Sequence, residues 1–230
     1  MEFHSHIGQD QWVIETLCHR RDGYFLDFGA FDGVTASNTL ALERDLGWKG
    51  ISVEANPTYY PALCESRSTI CINAALWPIS RESVEMVDAH GLSSLRQYMD
   101  VDGNQPAREN ASSGFFSIDT INPTELLQRF KAPARIEYMS LDVEGCELDV
   151  LQAIDFSTYQ IAMMTVEHSE FPARQDAIRA FLQPLGYKVF RRYYDDWFFH
   201  PEYVARLQLP GELFNPYAAY EHVRTHFVIG

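Results

Sequence analysis

The stretch YFLDFGAFDG, residues 24–33, constrains this chain more than any other. An apolar run from Tyr24 to Phe28 ends at Gly29 and turns through Gly33. It leads into a helical pattern from Thr35 to Leu46 that Gly47 closes. A buried strand that runs directly into a glycine-bounded turn and a helix opens a parallel βα unit. The alternation continues. Strands are expected at Ile51 to Val53, Thr69 to Asn73, Ile136 to Val143 and Ile161 to Val166. Helices are expected after Pro57, from Pro123 to Phe130, from Cys146 to Ile154 and from Ala173 to Leu182. The fold class is therefore α/β, with a mostly parallel sheet. At 230 residues the chain suits one domain with a sizeable core.

The edges of this pattern read differently. Residues 1–22 form an N-terminal segment whose part from Ile7 onward is helical and stops at Gly23. Residues 79–121 fit no βα unit, with strands at Val84 to Val87 and Phe115 to Ile121. Between these, Asp100 to Gly114 is rich in turn residues and is expected to be a loop. YKVFRRYYDDWFFH (187–200) reads as two strands around Asp195-Asp196. Residues 201–230 form a C-terminal extension with no assigned element.

The glycine turn lies where a nucleotide-like ligand meets a parallel sheet, at the carboxyl ends of the strands. A dinucleotide reader needs G-x-G-x-x-G, whereas this turn is Asp27-x-Gly29-x-x-x-Gly33 and lacks the middle glycine. Asp27 and Asp32 repel a pyrophosphate but suit an ammonium and a sulfonium, which S-adenosylmethionine carries. Glu54 ends the second strand about twenty residues on, where an acid meets a ribose diol. Asn73, ending the third strand, can donate to and accept from an adenine edge, and Ala74 leaves room for the ring.

The remaining chemistry sits on later strands. Asp142 and Glu144 flank Val143 at the end of the fourth strand, with Gly145 turning the chain into a helix. They suit acceptor hydroxyls, a cation or Mg²⁺. Glu167 and His168 follow the fifth strand, at the same carboxyl edge. His168 is the expected general base, followed by Asp142, with Glu144 also catalytic. A divalent metal is left open, with Asp142 and Glu167 as its ligands. His4 and His6 are taken as terminal surface residues.

In order, FLDFGAFDG, SNT, GWKGISVEANP, LDVEGCELDVL and VEH resemble the FkbM family of S-adenosylmethionine-dependent methyltransferases. The resemblance implies the class I methyltransferase fold. This is a Rossmann-like three-layer α/β/α sandwich on a seven-stranded, mostly parallel sheet with its last strand antiparallel. It implies cofactor contacts from Asp27, Gly29, Ala30, Asp32, Gly33 and Asn38, from Glu54, Ala55, Asn73 and Ala74, and from Asp142. It also implies O-methylation of a hydroxyl on a sugar, glycan or small natural product. A methyltransferase with another acceptor class, or a non-catalytic binding module on the same fold, is the alternative.

With 18 Lys and Arg against 32 Asp and Glu, the net charge of −14 opposes nucleic acid and anionic membranes as partners. No apolar run is long enough to span a bilayer, and no secretory leader is visible. Cys18, Cys64, Cys71 and Cys146 form no metal or disulfide pattern, so a cytoplasmic setting is expected. The oligomeric state is left open.

Overall fold

A computed structural model describes residues 1–99, 104–169, 171–208 and 213–226. In chain order the first half contributes α1 (Gln9–Thr16), β1 (Tyr24–Phe28), α2 (Leu40–Leu46), β2 (Lys49–Glu54), α3 (Tyr60–Ser66) and β3 (Ile70–Asn73). An insert follows, with β4 (Ala75–Leu76), β5 (Ser83–Asp88), β6 (Ser94–Leu95), α4 (Gln105–Ala111) and β7 (Gly114–Ile121). The alternation then resumes with α5 (Pro123–Arg129), β8 (Arg135–Leu141), α6 (Glu147–Gln152), β9 (Gln160–Glu167), α7 (Pro172–Leu182), β10 (Lys188–Arg191) and β11 (Asp195–Phe199). Helices α8 (Pro201–Leu207) and α9 (Pro216–His226) come last.

Seven strands form one sheet in the order β3-β2-β1-β8-β9-β11-β10. Strands β3, β2, β1, β8 and β9 pair in parallel, while β11 runs antiparallel to both of its neighbours. This is the expected α/β/α sandwich with its final strand reversed. Strands β1, β8, β9 and β11 are buried along almost their whole length, because helices cover both faces. On one face Leu26, Met139 and Val166 pack beneath Leu126 of α5, Val150 of α6 and Ile178 of α7. On the other, Phe25, Tyr138 and Trp197 pack against Trp12 of α1, Leu42 of α2 and Val223 of α9.

Successive crossovers carry the chain from β1 outward to β2 and β3, and later from β8 outward through β9. The direction of winding therefore reverses between β1 and β8, and a crevice opens at their carboxyl ends. Over it sits the insert, a four-stranded sheet in the order β4-β7-β5-β6.

Several local expectations need correction. The helix expected from Thr35 begins only at Leu40, whose N–H the Ser37 hydroxyl accepts at 3.1 Å in the turn that precedes it. Residues 34–39 are thereby freed to wrap the crevice. The loop expected from Asp100 to Gly114 contains α4; its residues 100–103 lie outside the described ones. Pro106 starts α4, and buried Arg108 anchors it by donating to the carbonyls of Leu92 at 2.8 Å and Met99 at 2.9 Å. Asp195 and Asp196 lie in β11 rather than in the turn, since each carboxylate has a partner. Gln9 donates to Asp195 at 2.8 Å, and Arg179 grips Asp196 at 2.5 and 2.7 Å. The C-terminal extension supplies α8 and α9. Val204 and Val223 enter the second core, and Trp12 Nε1 donates to the carbonyl of Pro216 at 3.2 Å.

Candidate active site

A cavity of about 400 Å³ occupies the crevice at the carboxyl ends of β1, β2 and β8, a size typical of small-ligand sites. Its first wall is the turn after β1. Gly29 takes φ +89°, and a Cβ there would lie 1.6 Å from the carbonyl oxygen of Asp142. Only glycine lets the ends of β1 and β8 approach so closely. The amides of Gly29 and Ala30 both donate to the carbonyl of Val53 at 3.0 Å, which ties the turn to β2.

The second wall is the end of β2. The Glu54 carboxylate accepts the N–H of Phe31 at 2.8 Å and of Asn56 at 2.6 Å, so it is oriented before any ligand arrives. Burial pushes its pKa up against the pull of those two amides. Ala55, Ala74 and Ala75 give a small apolar floor, and Leu76, Met86 and Leu95 from the insert form a roof. Phe31 packs against Tyr59 with ring centroids 4.2 Å apart and planes tilted by 40°, and the Tyr59 hydroxyl bonds His90 at the rim. Asn38, on the wrap from 34 to 39, donates to the Ser140 hydroxyl at 2.8 Å. Its Oδ1 is buried and has no partner among the described residues, an acceptor held ready for a donor.

At the β8 end Asp142, Glu144 and Glu167 converge, with one carboxylate oxygen from each lying within 4.8 Å of the others. Asp142 and Glu144 both line the cavity; Asp142 is exposed there, while Glu144 and Glu167 are largely buried. Glu144 sits at φ +54° as the chain leaves the sheet, and the Glu147 carboxylate receives the amides of Val143 at 3.1 Å and Gly145 at 3.0 Å. Burial, then the neighbouring Glu144 charge, raises Asp142 well above the usual carboxylate range. Burial, then the Asp142 and Glu144 charges, does the same to Glu167. Burial lifts Glu144 to about 7 although Arg108 lies 2.9 Å from it.

Four expected site residues do other work. Asp27 edges the cavity, but its carboxylate accepts the Thr39 hydroxyl at 2.5 Å and faces Arg67 at 3.5 Å, a buried structural pair. Asp32 does not line the cavity; it closes its own turn by accepting the amides of Val34 at 2.9 Å and Thr35 at 2.7 Å. Gly33, at φ +79°, leaves room for Ser66 and Arg67 at the end of α3. Asn73 donates to the carbonyls of Glu54 at 2.8 Å and Ala55 at 3.0 Å, so it braces β2 instead of reading adenine.

The expected base is also misplaced. His168 is 1% exposed and does not line the cavity; its Nε2 lies 3.0 Å from Gln175 Nε2 and 3.6 Å from Asp196. Of the described histidines, His6 and His90 reach the cavity. His6 is expected at a frayed surface terminus, yet it lines the cavity. Asp10 receives the amide of His4 at 2.7 Å, and Gln9 that of Ile7 at 3.0 Å, which folds residues 4–10 back over β11. The local signal was the pair Ser5 and Asp10, whose side chains bond each other.

The Methyltransferase FkbM domain matches residues 27–189. No curated protein matches the chain. Among solved structures, a precorrin-6y C5,15-methyltransferase from Geobacter metallireducens is 14% identical over 82% of this chain and 84% of its own, with a TM-score of 0.41. The METTL16 MTase domain is 10% identical over 82% and 64%, with a TM-score of 0.45. An M. jannaschii TYW2 in complex with AdoMet is 12% identical over 86% and 79%, with a TM-score of 0.37. The domain match covers most of the chain and contains the turn after β1, the β2 carboxylate and the acids after β8. It places the chain in the FkbM methyltransferase family, as an S-adenosylmethionine-dependent methyltransferase.

Proposed function

We propose that the protein methylates a hydroxyl oxygen on a sugar, a glycan or a small natural product. The observation that carries this reading is the carboxylate Asp142, which opens onto the cavity with its pKa raised by burial and by Glu144. An alcohol is a weak nucleophile that must lose a proton as it is methylated, and a base of raised pKa suits that task.

The chain's residues fit the cofactor. The Glu54 carboxylate is held by two amides and can accept from a diol; the alanine floor suits a flat base, and the Oδ1 of Asn38 awaits a donor. S-adenosylmethionine, when bound, supplies an electrophilic methyl group on a cationic sulfur. The chain orients the acceptor, excludes water beneath Leu76, Met86 and Leu95, and takes the hydroxyl proton on the Asp142 carboxylate. Holding the two partners in line is worth up to about 7–11 kcal/mol in favourable cases.

The test pairs calorimetric titration of S-adenosylhomocysteine with a methyl-transfer screen over hydroxylated acceptors. A hydroxylated acceptor is expected to turn over, with Asp142→Asn slowing it by about 10²–10⁴-fold while product binding persists. Transfer only to nitrogen or carbon acceptors, or binding without any transfer, overturns the reading.

A further inference from the structure

We infer that Asp142, Glu144 and Glu167 form a binding site for a hard divalent cation at the acceptor end of the cavity. Three carboxylates each turn one oxygen toward a common point, within 4.8 Å of one another. Oxygens on opposite sides of Ca²⁺ lie about 4.6–5.2 Å apart, and of Mg²⁺ about 4.0–4.2 Å, as their bond lengths require. Three oxygens that all lie within 4.8 Å of one another can meet either ion.

The second observation is Glu167. Its Oε1 accepts the Ser169 hydroxyl at 2.8 Å, but its Oε2 is buried without a hydrogen-bond partner in a side chain only 8% exposed. A buried carboxylate oxygen left in this way calls for a cation or a donor. The guanidiniums nearby are committed elsewhere. Arg108 lies 2.9 Å from Oε2 of Glu144, which Asn104 also meets at 3.3 Å, and Arg174 lies 3.7 Å from Glu147. Arg108 faces Glu144 and Arg174 faces Glu147, which leaves Asp142 and Glu167 without a guanidinium partner among the described residues.

Of the three, Asp142 and Glu144 line the cavity and Glu167 does not. Each side chain gives one oxygen, so Asp142 keeps its second for the hydroxyl proton. The ion's role in gathering acceptor oxygens rests on the O-methylation reading, but its binding does not.

Mn²⁺ serves as the probe, followed by electron paramagnetic resonance and calorimetry on the full chain, with S-adenosylhomocysteine titrated in parallel. We expect one Mn²⁺ per chain, displaced by Mg²⁺ and Ca²⁺ and bound at least tenfold more weakly by Glu167→Gln. Glu144→Gln gives the same loss should Glu167→Gln fail to fold, which circular dichroism reports. Absence of saturable Mn²⁺ binding in a wild-type chain that binds S-adenosylhomocysteine overturns the site, as does equal Mn²⁺ affinity in wild type and both variants. Mn²⁺ binding without any hydroxyl methylation sinks the O-methylation reading and leaves the site standing.

Discussion

Arg67→Met tests the reassignment of Asp27 from ligand contact to structural partner. The Arg67 side chain is 0% exposed, and it meets Asp27 at 3.5 Å, Thr39 at 2.9 Å, the Gly33 carbonyl at 3.2 Å and Glu43. Methionine fills similar space but leaves two carboxylates and a carbonyl without their cation. Removing one partner of a buried pair typically costs about 3–5 kcal/mol. At about 2.1 cal/mol/K of unfolding entropy per residue, a chain of this length loses roughly 2 °C per kcal/mol, so the melting temperature should fall by about 6–10 °C at pH 8. Burial already pushes the Asp27 carboxyl up against the pull of Arg67, and losing the guanidinium raises it further. A carboxyl raised in the folded state penalises folding only when ionised. The deficit should therefore shrink as pH falls toward the unfolded carboxyl value of about 3.9. The added change Asp27→Asn should recover part of the loss, because it removes the stranded charge. Calorimetric melts of the single and double variants at pH 8 and pH 5 provide the measurement. An Arg67→Met melt within about 2 °C of wild type at pH 8, or a double variant no more stable than the single, would refute the reasoning.

Other perturbations separate the remaining roles. Glu54→Gln turns an amide donor toward the N–H of Phe31 or Asn56, so S-adenosylhomocysteine should bind at least about tenfold more weakly by calorimetry. His168→Ala should leave kcat/KM within a few-fold of wild type while lowering the melting temperature, since the ring packs against Gln175 and Asp196 outside the cavity. Gly29→Ala should abolish cofactor binding, because its Cβ has no space beside Asp142 and φ is +89°. Methyl transfer should rise with pH as the raised carboxyl of Asp142 ionises, and Asp142→Asn should remove that dependence. The raised carboxyl of Glu144 contributes stability that is fully present below about 4.3 and is lost as pH rises through about 7, which melts across pH 4–8 would show.

Much of the sheet was legible because its strands are short apolar runs ended by glycine or acid. Strands expected to end at Phe28, Val53, Asn73 and Val166 end at Phe28, Glu54, Asn73 and Glu167. Boundaries failed where side chains competed with backbone. Ser37 postponed α2, and the Glu147 carboxylate drew the amides of Val143 and Gly145 away from β8. Helix α4 was hidden because its anchor, Arg108, has partners at Leu92, Met99 and Glu144, all at least nine residues away in sequence. His6 was invisible for a similar reason, since its place depends on Gln9 reaching Asp195 across the length of the chain.

The same residues revise where the site's electrostatic selectivity resides. Asp27 and Asp32 look like the acids that favour a sulfonium over a pyrophosphate, yet Arg67 faces the first, and the second spends its lone pairs on its own turn. Besides Asp27, the acids that line the cavity are Glu54 at the end of β2 and Asp142 and Glu144 after β8. A ligand with a diol at one end and a positive charge toward the other matches that separation, and a diphosphate would meet carboxylates at both ends. Arg67 makes this division possible. By holding Asp27 and the carbonyl of Gly33 together, it lets an acid end β1 without adding its charge to the cavity. The Arg67→Met variant should accordingly place a second, uncompensated carboxylate beside the turn after β1.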